Sequence, residues 1–173
     1  PDSFYGESCC KTVEQALSAA ERMLEEGADI LDIGAESSRP GSVPITVQEE
    51  IDHLLPVLIK LVEVSNIPIS VDTYKSKVAH YVLQSGASII NDITGFQQSE
   101  EMSQTISRFQ AGVILMHMQG SPETMQDRPQ YDDVVTEVFD YLQQSIAIAV
   151  AAEINPEKIA IDPGIGFGKT DAH

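Results

Sequence analysis

Short apolar runs alternate along the chain with longer segments whose apolar residues recur every three or four positions. The short runs predict buried strands and the longer segments predict amphipathic helices. The predicted strands begin near residues 30, 69, 89, 113 and 159. Their mean spacing of about 32 residues is typical of a repeated strand–helix unit.

Helix-end signals support these assignments. Thr12 with Gln15, and Thr46 with Glu49, have capping-box spacing at the starts of the first two predicted helices. Pro56 lies inside the second of them and predicts a kink or a break. The predicted helices are residues 12–26, the segment from 46 to 62, 75–84, 99–109 and 132–153.

The strands are apolar throughout, as parallel strands covered on both faces are. The sequence therefore predicts an α/β fold, either a doubly wound sheet or a (β/α)8 barrel. A complete barrel needs eight strands and about 250 residues. The chain starts at Pro1 in a polar stretch and stops at His173 after a glycine-rich turn. We expect a single barrel domain over residues 1–173, truncated at both ends, with about five of eight strands.

Composition and charge argue against two classes of binding partner. The 173 residues are 42% hydrophobic and carry 27 acidic against 10 basic side chains, a net charge of −17. Such an acidic chain is a poor nucleic-acid binder, and no apolar run is long enough to span a membrane. We expect neither nucleic acid nor membrane as a partner. Cys9 and Cys10 are adjacent, which predicts no disulfide framework and fits a reducing cytoplasm.

Polar side chains follow almost every predicted strand. They are Asp32, Glu36, Ser37, Ser38 and Arg39 after the first, Asp72 and Thr73 after the second, Asn91 and Asp92 after the third, His117 after the fourth and Asp162 after the fifth. A single carboxylate at such a place often caps the next helix. Because the carboxyl ends of barrel strands converge, five in succession predict a shared polar pocket.

The loops add candidate ligand contacts. Arg39 suits an anion, although a solvated loop charge explains it equally well. His117 is expected to be a hydrogen-bonded pocket wall rather than a metal ligand. The segment DPGIGFGKT, residues 162–170, fits neither P-loop nor dinucleotide spacing, but its glycines let backbone approach a ligand.

The pocket residues limit the ligand. Asp72, Asn91 and Asp162 favour a partner with several N–H donors, such as a flat nitrogen heterocycle. Ser38 and Arg39 favour an anion. A heterocycle that carries a phosphate-like group satisfies both sets.

Six segments together resemble the dihydropteroate synthase family. They are PDSF at 1–4, GADILDIGAESSRPGS at 27–42, ISVDTYKS at 69–76, IINDITG at 89–95, LMHMQGSPETMQ at 115–126 and DPGIGFGKT at 162–170. The resemblance implies a cytosolic (β/α)8 barrel of folate biosynthesis and a target of sulfonamides. It also implies condensation of 6-hydroxymethyl-7,8-dihydropterin diphosphate with p-aminobenzoate, giving 7,8-dihydropteroate and diphosphate.

The resemblance assigns roles by position. Asp72 and Asp162 would be catalytic and would contact the pterin, together with Asn91. Ser38 and Arg39 would lie at the diphosphate. Met116 and Phe167 would be apolar walls around the ring. Residues 2–10 would belong to the loop that closes over p-aminobenzoate.

Other implied features lie outside this chain. The family's Mg²⁺-contacting Asn precedes Pro1, so Mg²⁺ is the expected cofactor but no metal ligand is assigned within the chain. A pterin-contacting Lys, and an Arg and His for diphosphate, would follow His173. A homodimer is expected at full length. The 173-residue chain alone is expected to be inactive, because an open five-strand sheet leaves its edges unpaired.

Two alternatives stay open. A methyltetrahydrofolate:corrinoid methyltransferase would share the Asp and Asn pocket but should lack the SSRPG and DPGIGFGK segments. A non-catalytic pterin-binding domain would keep the pocket without the basic diphosphate contacts.

Overall fold

The structure is a computed structural model that describes residues 12–37 and 42–173. Five strands form its centre. The strands are β1 (Leu31–Gly34), β2 (Ile69–Asp72), β3 (Ile89–Asp92), β4 (Gly112–Met116) and β5 (Ile159–Asp162). The α-helices of the described part are α1 (Val13–Glu25), α2 (Val47–Val64), α3 (Ser76–Gln84), α4 (Met102–Phe109) and α5 (Val134–Ala151). A 3-10 turn, Pro156–Lys158, precedes β5. Each predicted strand and helix is therefore confirmed, with its ends moved by a few residues.

All strand pairs are parallel, and the strand order is β1-β2-β3-β4-β5. A doubly wound sheet reverses its strand order at a switch point. The strictly sequential order is instead that of a βα barrel, and consecutive helices from α1 to α4 pack against each other. The expected α/β class is confirmed, and the order favours the barrel arrangement over the doubly wound one.

The main core lies between the sheet and the helices. Its fully buried side chains come from both layers and include Leu58, Leu61, Val71, Val78, Val82, Ile90, Val113 and Leu115. Along β3, Ile90 is buried whereas its neighbours Ile89 and Asn91 are partly exposed. Because successive strand residues point to opposite faces, the polar residue Asn91 lies on the face away from the helices.

The start of α2 shows a complete capping box. The Thr46 hydroxyl accepts from the backbone N–H of Glu49 at 3.2 Å, and the Glu49 carboxylate accepts from the backbone N–H of Thr46 at 2.9 Å. The helix then continues through Pro56 to Val64. Of the two expectations for Pro56, the break is therefore wrong. Burial of the apolar face of α2 against the sheet outweighs the hydrogen bond that proline cannot donate.

No helix in residues 12–37 and 42–173 is long and apolar enough to cross a membrane.

Replacing Pro56 by Ala should stabilise the protein, since Ala restores a helical N–H donor at an exposed position. We expect the free energy of unfolding to rise by about 1–3 kcal/mol, after allowance for the greater freedom of the unfolded chain. Urea unfolding followed by circular dichroism measures this. The control is His53→Ala, an exposed position on the same helix. A P56A variant no more stable than the parent would contradict the prediction.

Candidate active site

The strand register brings the predicted pocket residues to one edge of the sheet. Asp72 is paired with Asn91 across β2 and β3, and Met116 is paired with Asp162 across β4 and β5. Asn91 is also level with Ile114, two residues before Met116, so all four share the face opposite the helices. The structure thus places Asp72, Asn91, Met116 and Asp162 along the same edge. Their roles toward a ligand stay predictions.

Asp72 lies in an acidic surrounding. Burial raises its pKa well above the ordinary value, and nearby carboxylates raise it further; in order of effect they belong to Asp32, Glu50, Asp92 and Glu36. Both causes disfavour the charged form of Asp72. A ligand that brings N–H donors or positive charge would stabilise the ionised carboxylate.

The Asn91 side chain reaches a carboxylate two strands away in the sheet. Its Nδ2 lies 3.5 Å from Oδ2 of Asp32 on β1, which is a long hydrogen bond. Asp92, the next residue, points to the other face and is fully buried. Its carboxylate accepts from the backbone N–H groups of Thr94 at 2.8 Å and Phe96 at 3.0 Å. Asp92 therefore fixes the turn after β3 rather than contributing to the pocket. It does not cap the next helix, α4, whose N-cap residue is Glu101.

Asp162 ends β5 and is followed by the fifth loop, defined as residues 163–170. Its Oδ1 accepts from the backbone N–H of Gly164 at 2.7 Å, so the carboxylate is oriented by its own turn. Gly164 has φ +66, and a Cβ there would lie 2.0 Å from the carbonyl oxygen of His117. The turn therefore requires glycine, because backbone contacts backbone at this point.

A partly buried lysine, Lys169, connects the parts of the fifth loop. Lys169 Nζ donates to the carbonyl oxygens of Gly164 at 3.0 Å and Phe167 at 3.1 Å, and it lies 2.8 Å from Nδ1 of His117. Tyr131 also donates to the carbonyl of Gly168 at 2.7 Å. The loop that carries Phe167 is thereby fixed to the segment that follows β4.

His117 has the expected character of a hydrogen-bonded wall residue. Its side chain is buried, and burial, followed by the charge of Lys169, lowers its pKa to about 4. Burial also lowers the pKa of Lys169 to about 8. At neutral pH the imidazole is therefore neutral and accepts from the ammonium group.

The predicted apolar walls lie in one small cluster. Buried Met116 packs with Ile93, Met118 and Met125, and the partly buried Phe167 packs against the same cluster. Met116 and Phe167 therefore contribute to a common apolar surface beside Asp162.

A second network went unpredicted. Lys75 Nζ donates to Glu36 at 2.5 Å and to Glu50 at 2.6 Å, and Tyr74 donates to the other oxygen of Glu36 at 2.6 Å. Glu36, Glu50 and Tyr74 line a cleft with Asp72. One signal was available in the sequence: Glu50 occupies a position on the apolar face of α2, where an acid needs a partner.

Two predicted substrate contacts, Ser38 and Arg39, lie outside the described residues, as do residues 2–10 with Cys9 and Cys10. Within residues 12–37 and 42–173, no group of three or more His, Cys, Asp or Glu could hold a metal ion.

Comparison with known proteins identifies the relatives of this chain. The family of pterin binding enzymes matches residues 1–173. Dihydropteroate synthase of Escherichia coli K12 is 40% identical over 173 residues, which cover 100% of this chain and 61% of the relative. The enzyme of Synechocystis is 37% identical over 170 residues, covering 98% and 59%. The chain thus spans about three fifths of the length of these curated relatives.

A solved structure agrees with the sequence comparisons. The Yersinia pestis dihydropteroate synthase, crystallised with a sulfonamide drug complex, superposes with a TM-score of 0.94 at 42% identity. The match covers 100% of this chain and 62% of that one. The described fold is therefore that of dihydropteroate synthases over this part of their chain.

The His117 imidazole should stay neutral until the pH falls well below 6.5, its ordinary pKa. A proton nuclear magnetic resonance titration of the His117 Cε1–H, assigned by its loss in His117→Gln, measures this. We expect a midpoint near 4 in the parent. A midpoint at or above the ordinary value would contradict the burial and the Lys169 contact described here.

Asp72→Asn should raise the melting temperature at neutral pH by a few degrees. Because the folded-state pKa of Asp72 is raised, its carboxyl lowers stability as pH rises from the ordinary value of 3.8 through the folded pKa. The gain should vanish below pH 3.8, where both states are protonated. Thermal unfolding at several pH values measures it, with exposed Asp171→Asn as the matched control. Equal melting of D72N and parent at neutral pH would refute the assignment.

Proposed function

The chain belongs to the family of pterin binding enzymes, and we propose that the protein carrying it is a dihydropteroate synthase. The reaction would join 6-hydroxymethyl-7,8-dihydropterin diphosphate to p-aminobenzoate and release diphosphate. The observation that carries this proposal is the shared edge of Asp72, Asn91, Met116 and Asp162. At that edge, carboxylate and amide oxygens that accept from N–H groups lie beside the apolar side chain of Met116. A flat aminopterin ring requires both kinds of contact.

Asp162 would bind the amino-pyrimidine edge of the ring. A ring N–H and the exocyclic amine can donate to one carboxylate in two parallel bonds. The backbone N–H of Gly164 already orients Oδ1 of Asp162 at 2.7 Å, which supports a fixed acceptor geometry. Asn91 on β3 would add a further hydrogen bond to the ring, since its amide supplies both donor and acceptor groups.

Asp72 would stabilise the positive charge that develops on the pterin during the reaction. When the carbon–oxygen bond breaks, its electron pair leaves with diphosphate and the pterin methylene becomes positive. The p-aminobenzoate nitrogen then attacks that carbon and loses a proton. An ionised Asp72 carboxylate would stabilise the positive intermediate, and its acidic, buried surroundings would strengthen that interaction.

The apolar cluster would keep water from this intermediate. Met116 and Phe167 pack together beside the polar edge, and Lys169 fixes the backbone of Phe167 at 3.1 Å. Excluding water protects a reactive cation from hydrolysis. We propose that Phe167 and Met116 cover the ring in this way.

The remaining assignments follow the family. Ser38 and Arg39 would contact the diphosphate. Mg²⁺ would offset diphosphate charge when bound. We also propose that residues 1–173 belong to one barrel domain, that the full protein is a cytoplasmic homodimer, and that its partners are the pterin diphosphate and p-aminobenzoate.

Asp162→Asn should lower kcat/KM for the pterin diphosphate by about thirtyfold or more, since an amide turns an N–H toward the donors of the ring. The full-length protein is assayed for dihydropteroate, with exposed Asp171→Asn as the control of equal charge change. A parent that binds the pterin without forming product would identify a non-catalytic domain. A parent that binds methyltetrahydrofolate instead would identify a methyltransferase-like protein, and either result overturns the proposal.

A further inference from the structure

Three charged side chains form a compact triad beside Asp72. Lys75, at the start of α3, lies between Glu36, which follows β1, and Glu50 on α2, with N–O distances of 2.5 and 2.6 Å. We define these three residues as the Lys75 triad. Glu50 is 1% exposed, so its carboxylate is held inside the protein by this lysine. One ammonium against two carboxylates leaves the triad with one net negative charge.

Further hydrogen bonds fix the triad in place. Lys75 Nζ also donates to the carbonyl of Ile45 at 2.8 Å, and Glu36 accepts from the backbone N–H of Ile45 at 2.9 Å. Tyr74 donates to Glu36 at 2.6 Å. The charges are therefore held by contacts from the β1–α2 connection, α2 and the β2–α3 connection.

The two carboxylates of the triad share a cleft wall with Asp72. Glu36, Glu50, Asp72, Thr73 and Tyr74 line the same cleft. Burial alone would lower the pKa of Lys75, but its bonds to Glu36 and Glu50 outweigh that effect and raise it, so the ammonium stays charged. Fixed charges in a partly desolvated cleft act more strongly on one another than they would in water.

We propose that the Lys75 triad is a positioning unit that sets the charge state of Asp72, through one net negative charge held at a fixed place beside it. Glu50 and Glu36 make the cleft favourable for positive charge, and Lys75 limits their effect so that Asp72 still ionises. None of the three residues needs to touch substrate. The inference rests on the proposed function, because there the positive charge develops on the bound pterin.

Every charged group facing Asp72 enters the expected pH behaviour. Asp32 on β1, Glu36, Glu50 and Asp92 all oppose its ionisation. We expect Lys75 to neutralise part of this field, because its ammonium group is paired with Glu36 and Glu50. Removing one triad carboxylate should therefore lower the ionisation midpoint of Asp72, whereas removing the lysine should raise it.

The test measures the Asp72 carboxyl directly by carbon-13 nuclear magnetic resonance in the full-length protein, with the signal assigned by its loss in D72N. Glu50→Gln should move the midpoint down by about one pH unit, and Lys75→Met should move it up by a similar amount. The double variant K75M/E50Q keeps one net negative charge and should return the midpoint close to that of the parent. Lys77→Met, an exposed lysine on the same helix, is the matched control and should leave it unchanged.

Kinetics give the second readout. The acid limb of kcat/KM should shift in the same directions as the midpoint, and E50Q should also lower kcat. If K75M does not fold, the single variants Glu36→Gln and E50Q test the inference. Each removes one triad carboxylate and should move the ionisation midpoint of Asp72 down. Shifts of one sign in E50Q and K75M, or no shift beyond that of K77M, would overturn the inference. A parent that makes no dihydropteroate but shows the opposite shifts would instead overturn the proposed function alone.

Discussion

The period-two alternation of parallel strands is the constraint on which the rest of the structure depends. In β3, for example, Ile90 turns toward the helices and builds the core, whereas Asn91 turns to the opposite face. Because neighbouring strands are parallel and in fixed register, the same alternation brings Asp72 beside Asn91 and Met116 beside Asp162. A shift by one residue in any strand would bury its polar end and expose its apolar residues. Core stability and pocket composition are therefore set by the same hydrogen-bond ladder.

That arrangement concentrates negative charge at one edge of the sheet. Burial raises the pKa of Asp72, and the carboxylates around it raise it further, so an ionised Asp72 opposes folding. Two lysines make the main polar contacts on the two sides of this edge, by different means. Lys75 pairs directly with acids, whereas Lys169 binds carbonyl oxygens and His117 in the fifth loop. Each side of the candidate site is thus organised by one partly buried ammonium group.

Much of the fold was predictable because it follows from local pattern. The strand positions, the Thr46 capping box and the polar strand ends depend on residues close together in sequence, and the structure confirms them. The strand order was not predictable from periodicity, because parallel strands of either architecture read alike. The continuity of α2 through Pro56 was also missed, since tertiary burial outweighed a local rule. The Lys75 triad joins residues up to 39 positions apart, and no spacing rule connects them.

The close approach at Gly164 fixes one dimension of the candidate pocket. There the turn after Asp162 rests on the main chain of His117, and not on a side chain that could be exchanged. The width of the cavity on this flank is consequently not adjustable by a single amino-acid replacement. Variants with altered ligand preference, including those that discriminate against an inhibitor, would have to arise on walls built from side chains.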